Sequence, residues 1–166
     1  VLAGVLMALS HFLYQRLHPR IIEVGRHADG SLRDRHLWHL PPLAPHTYAL
    51  RMDAALDFAA AATFERSIVE HLAAPPDTRH ICVFAQAINR IDATGVDTLT
   101  KLARQLHQRN ITLHISGMKL PVEQVLMRSG DFRPGPLLAL YRTESEALAA
   151  LAKLVELPAD MAGMAI

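Results

Sequence analysis

Ile91-Asp92-Ala93-Thr94-Gly95-Val96 stands between a short apolar run, Ile81-Cys82-Val83-Phe84-Ala85, and a long helical pattern. The run has the length and composition of a buried strand. After Gly95, the apolar residues Val96, Leu99, Leu102, Ala103 and Leu106 recur at helical spacing. The hydroxyl of Thr94 is therefore expected where the chain enters a helix. Unpaired backbone N–H groups and a partial positive charge collect there. A hydroxyl in that place can cap the helix, border an anion site or accept a phosphoryl group.

Outward from this strand–turn–helix unit the pattern is regular. Tyr48-Ala49-Leu50-Arg51-Met52 alternates like a strand, and Ala59 to Leu72 reads as a helix with Phe64, Ile68 and Leu72 on one face. Pro75-Pro76 is expected to end it. The helix after Gly95 runs to about Gln108, and Asn110 is a suitable left-handed terminator. Ile111 to Ile115 reads as another strand. Leu120 to Ser129 reads as a short helix with Pro121 in its first turn and Gly130 as its stop. Leu137 to Tyr141 completes the strands, and Thr143-Glu144-Ser145-Glu146 is a capping box opening a last helix with Leu148, Leu151 and Val155 inward. Strands alternating with helices predict an α/β domain with a largely parallel sheet core over residues 47–156, followed by a flexible tail over 157–166.

Residues 1–14 form an apolar run, followed by Arg16, Arg20 and Arg26. The run is shorter than the roughly 20 residues that span a bilayer, and no basic region precedes it as in a signal peptide. An apolar helix end followed by arginines has the form of a cytoplasmic membrane exit, so residues 1–14 are read as the end of a last transmembrane helix. Residues 15–46 read as a linker: Ile21 to Val24 can form a short strand, Asp29-Gly30 marks a turn, and Pro41, Pro42 and Pro45 exclude regular structure.

The 166 residues suit one domain with extensions, and 51% apolar content supplies its core. The net charge of +1 gives no footprint for nucleic acid. The single Cys82 lies within the apolar strand and reads as core. Ten histidines are scattered; His27, His36, His39 and His46 lie in the linker without the spacing of a metal site. No nucleophile–base set is recognisable, so the sequence does not read as an enzyme.

Taken together, these segments resemble the cytoplasmic C-terminus of the SulP (solute carrier family 26-like) anion transporters. Residues from about 47 to 155 resemble their STAS domain, which is shared with the bacterial anti-sigma factor antagonists. Ile91 to Leu99 is similar to the family's Asp-Ser/Ala-Ser/Thr-Gly signature. Leu113-His114-Ile115-Ser116-Gly117 and the join from Tyr14 to Arg26 add to the likeness. Ala54-Ala55 and Asp57 depart from the usual Gly-Pro and aromatic pair.

The resemblance implies a mixed β-sheet with helices mainly on one side. It also implies a non-catalytic regulatory role beneath the membrane part of a sulfate or bicarbonate transporter at the bacterial inner membrane. The expected partners are the protein's own membrane domain, a cytoplasmic protein and a second copy. The free-standing antagonist is the alternative identity.

In the antagonists the residue matching Thr94 is a kinase target. Thr94 followed by Asp97 also fits a helix cap, which is the favoured reading, while Asp92 is read as a turn-former. The expected partner surface is the loop 86–95, including Arg90, with the exposed side of the next helix: Asp97, Thr98, Lys101 and Gln105. No cofactor is expected. A nucleotide phosphate at the helix start by Gly95 is a further alternative, although the loop lacks a P-loop and has Arg90 as its only basic residue.

Overall fold

The computed structural model describes residues 1–74 and 77–156. The helix stop expected at Pro75-Pro76 and the tail over 157–166 lie outside the described residues.

The elements follow in the order α1 (Leu2–Leu17), β1 (Ile21–Arg26), β2 (Leu32–Asp34), β3 (Thr47–Met52), α2 (Ala61–Ala73), β4 (His80–Phe84), α3 (Ala93–Gln108), β5 (Thr112–Ser116), α4 (Leu120–Arg128), β6 (Leu138–Tyr141) and α5 (Glu144–Glu156). They build one six-stranded mixed sheet in the order β2-β1-β3-β4-β5-β6. Strands β3 to β6 are parallel; β1 runs antiparallel to both β2 and β3.

The period of two along each strand divides the core. Leu50, Met52, Ile81, Val83, Leu113 and Ile115 point to one face and pack against Phe64 and Ile68 of α2, Leu99, Leu102 and Leu106 of α3, and Val122 and Leu126 of α4. Ala49, Cys82 and Phe84 point to the other face, under Ala147 and Leu151 of α5. Cys82 is a core residue, its thiol pushed up to about 12 by burial. Helix boundaries carry the expected signals. Asn110 is left-handed at φ 56°, and Gly130 follows α4 at φ 80°. Glu146 donates its N–H to Thr143 Oγ1 at 3.2 Å and accepts the Arg142 N–H at 2.9 Å.

Residues 15–46 differ from a plain linker. β1 and β2 join the sheet, and Ile22 and Val24 are buried in the second core. Gly25 lets the following loop cross closely, since a Cβ there would lie 2.7 Å from Leu40 Cβ. The β1–β2 unit is stable because β3 offers an open edge, a pairing partner that the local sequence does not display.

No described helix is long and apolar enough to cross a membrane. Helix α1 buries none of its residues, yet its base is fixed to the domain. Thr63 Oγ1 donates to the Leu17 carbonyl at 3.0 Å, and the Asp53 N–H donates to the Arg20 carbonyl at 3.0 Å.

Candidate functional site

Parallel strands deliver their outgoing loops to one edge of a sheet. Here the loop after β3 meets the loop after β4. Ile91 bridges Leu56 in parallel fashion. The Leu56 N–H donates to the Arg90 carbonyl at 3.0 Å. Asp92 completes the junction: its Oδ1 accepts the Gly95 N–H at 2.8 Å, and its Oδ2 accepts the Phe58 N–H at 2.9 Å. One carboxylate thus caps α3 and clamps the loop before α2. Its partial burial opposes ionisation, but the N–H groups of Gly95, Phe58 and Thr94 outweigh that and hold the carboxyl below its usual range.

Gly95 is required by the same junction. A Cβ there would lie 2.0 Å from the Leu56 carbonyl oxygen and 2.8 Å from Ile91 Cγ1. Asp57 sits beside it as a buried carboxylate. Its Oδ1 accepts the N–H groups of Ala59 and Ala60 at 3.1 and 3.3 Å, starting α2. Its Oδ2 lies 2.8 Å from Arg16 Nη2 and 3.9 Å from Arg90 Nη2. Arg16 belongs to α1, so this cluster joins α1, the α2 start and the signature loop.

The family model described as STAS domain matches residues 42–147, which contain this junction. The chain belongs to the STAS domain family. The murine anion transporter Slc26a9, solved in the inward-facing state, matches with a TM-score of 0.75 at 13% identity; the match covers 91% of this chain and 25% of that one. The chain therefore spans about a quarter of that transporter's length. The STAS domain of a SulP transporter from Vibrio cholerae matches at 27% identity with a TM-score of 0.53, covering 73% of this chain and 92% of that one. A protein described as an anti-sigma factor antagonist from Thermotoga maritima matches at 17% identity with a TM-score of 0.57, covering 71% of this chain and 98% of that one. The two matches at 13% and 17% identity establish the fold. No curated protein matches the chain. As a STAS domain it resembles both the SulP transporter domains and the antagonists.

The structure revises two of the expected roles within this STAS domain. Asp92, not Thr94, caps α3, and Thr94 lies exposed inside the first turn. Both are cap-type residues two positions apart, and the helix begins at Ala93 rather than after Gly95. Asp92 makes the cap through the Gly95 N–H and with its other oxygen also holds Phe58, 34 residues away. Thr98 is also not on the exposed face. It is 8% exposed and lies on the inward stripe of Gly95, Leu99, Leu102 and Leu106. Asp97, Lys101 and Gln105 do lie on the outer face, with Lys101 Nζ 2.9 Å from Asp97 Oδ2. Arg90 is exposed at the sheet edge beside Asp57.

At the α3 start, the Gly95 N–H that an anion would need is occupied by the Asp92 carboxylate. Among the described residues no group of three or more His, Cys, Asp or Glu could hold a metal ion. The linker histidines serve other contacts: His36 Nε2 lies 2.7 Å from Glu23 Oε2, and His27 packs edge-on against Trp38.

Two features escaped the sequence reading. One is the Arg16–Asp57 pair, which the unusual Asp57 hinted at. The other is a chain on the α5 face of the sheet: His80 Nδ1 lies 3.2 Å from His114 Nε2, and His114 Nδ1 lies 3.0 Å from the Tyr141 hydroxyl.

Proposed function

We propose that this STAS domain is the non-catalytic regulatory and protein-interaction domain of a SulP-type anion transporter, at the cytoplasmic face of a bacterial inner membrane. The observation that carries the reading is α1. Its apolar residues, including Leu6, Leu9, Phe12 and Leu13, are all exposed, and it buries nothing against its own domain. A helix apolar around its circumference is stable inside a membrane or a larger protein, so α1 is read as the end of the last transmembrane helix. The 27% identity to the Vibrio cholerae SulP domain supports the same assignment. A free-standing antagonist has no use for such a helix.

On this reading the domain's first partner is its own membrane domain, and the cargo is an anion such as sulfate or bicarbonate. A second copy and a cytoplasmic protein are the further partners. The outer face of α3, with Asp97, Lys101 and Gln105, is the surface offered to the cytoplasmic partner.

The test is membrane fractionation and labelled-anion uptake for the intact gene product, with and without residues 42–147. Recovery in the membrane fraction, with uptake that the deletion reduces, supports the proposal. A soluble product phosphorylated at the exposed Thr94 by a protein kinase would instead support the antagonist reading.

A further inference from the structure

Resting on the reading of α1 as a membrane-exit helix, we infer that the carboxyl-end rim of the parallel sheet is a contact surface for the anionic headgroups of the leaflet that α1 leaves. The rim forms around the base of α1. Arg16, in the last turn of α1, holds Asp57 of the loop after β3 at 2.8 Å, and Arg90 of the loop after β4 lies 3.9 Å from the same carboxylate oxygen. The preceding residue of that loop, Asn89, accepts a hydrogen bond from Lys119 at the end of the loop after β5. The end of α1 and the loops after β4 and β5 thus bring Arg16, Arg90 and Lys119 to one edge, around the Asp57 carboxylate and beside the exposed Arg20 that follows α1.

Two large apolar side chains stand out on the same rim. Phe58 is 69% exposed and Leu120 is 61% exposed. Phe58 is held there by its own N–H bond to Asp92. An exposed aromatic ring on the same rim as basic side chains suits the interfacial zone of a bilayer, where rings settle at headgroup depth and basic groups attract anionic lipid.

Continuity with α1 selects this partner. The helix is about 24 Å long by its residue count, and its last turn is tied to the rim through Arg16 and Leu17. Any medium that takes up its apolar side chains therefore lies against the rim. Each basic residue near an anionic surface strengthens binding about fivefold.

The test uses the full chain with vesicles of phosphatidylcholine alone and of phosphatidylcholine with phosphatidylglycerol, read by co-sedimentation. The expected result is binding to both, with the anionic vesicles preferred. Arg90→Gln/Lys119→Gln should lower the anionic preference roughly 10-fold or more while leaving binding to neutral vesicles unchanged. In the wild type, 0.5 M salt should remove most of the preference, a readout that stands even if the double variant fails to fold. An anionic preference insensitive to both changes overturns the rim proposal and leaves the α1 reading intact. So does equal binding to both vesicles, including the case of a concentration-dependent dimer that the double variant dissolves, which assigns the rim to a second copy. Binding to neither vesicle overturns the α1 reading and the rim proposal together.

Discussion

Gly95 and Leu56 approach so closely that a single methyl group at position 95 would sit 2.0 Å from the Leu56 carbonyl oxygen. The contact lets α3 lie against the loop after β3 and brings Asp92 within reach of Phe58. Gly95→Ala must push that backbone aside, and overpacking of this kind costs about 3 kcal/mol. Urea unfolding of the variant should show the loss as a lower midpoint. A midpoint unchanged from wild type would mean that the loops separate freely.

Asp92 and Thr94 should respond unequally to mutation. Asp92→Ala removes the α3 cap and the Phe58 clamp, a loss of about 2 kcal/mol. Thr94→Ala touches an exposed side chain and should change stability by less than about 0.5 kcal/mol. Because the Asp92 carboxyl is held below its ordinary value of 3.8, its contribution is present above that pH and is lost as pH falls through the folded value. Comparing the two variants by thermal denaturation at pH 7 and pH 3 checks both statements.

Arg16 should control how firmly α1 is held. Its guanidinium is 2.8 Å from Asp57, whose side chain is only 7% exposed. Arg16→Ala leaves that carboxylate with its bonds to Ala59 and Ala60, so the global cost should be modest, about 1 kcal/mol. Amide exchange over residues 16–20 should accelerate. Exchange unchanged there would show that the Thr63–Leu17 and Asp53–Arg20 bonds suffice.

His114 predicts an acid-sensitive fold. Burial, with a lesser effect of neighbouring His80, lowers its pKa from 6.5 to about 4. Above pH 6.5 the imidazole is neutral in both states and its contribution is fully present. Between pH 6.5 and 4 the unfolded state takes up the proton first, so stability falls by about 3 kcal/mol as pH drops. Below pH 4 both states are protonated and the loss levels off. An NMR titration should place the His114 midpoint near 4, and His114→Gln should flatten the stability profile in this window.

Lys101→Glu should separate binding from folding. The substitution removes the Lys101–Asp97 pair, which solvent screens on both sides, while reversing charge on the outer face of α3. The melting temperature should hold while capture of a cytoplasmic partner weakens. Unchanged capture would remove that face from the partner surface.

The sequence alone determined the local units. Period-two and period-3.6 spacing placed β3 to β6 and their helices, because burial of one face imposes those periods on the residues themselves. Asn110, Gly130 and the Thr143–Glu146 box marked boundaries for equally local reasons, backbone conformation and a hydrogen bond three residues long. Tertiary structure decided what depends on distant partners. The second bond of Asp92 was settled by the Phe58 N–H, whether residues 21–34 are linker or sheet by the open edge of β3, and the use of Asp57 by Arg16, 41 residues earlier. A short-range pattern records which face of an element is apolar. It does not record which other segment will bring a donor, an edge or a charge to meet it.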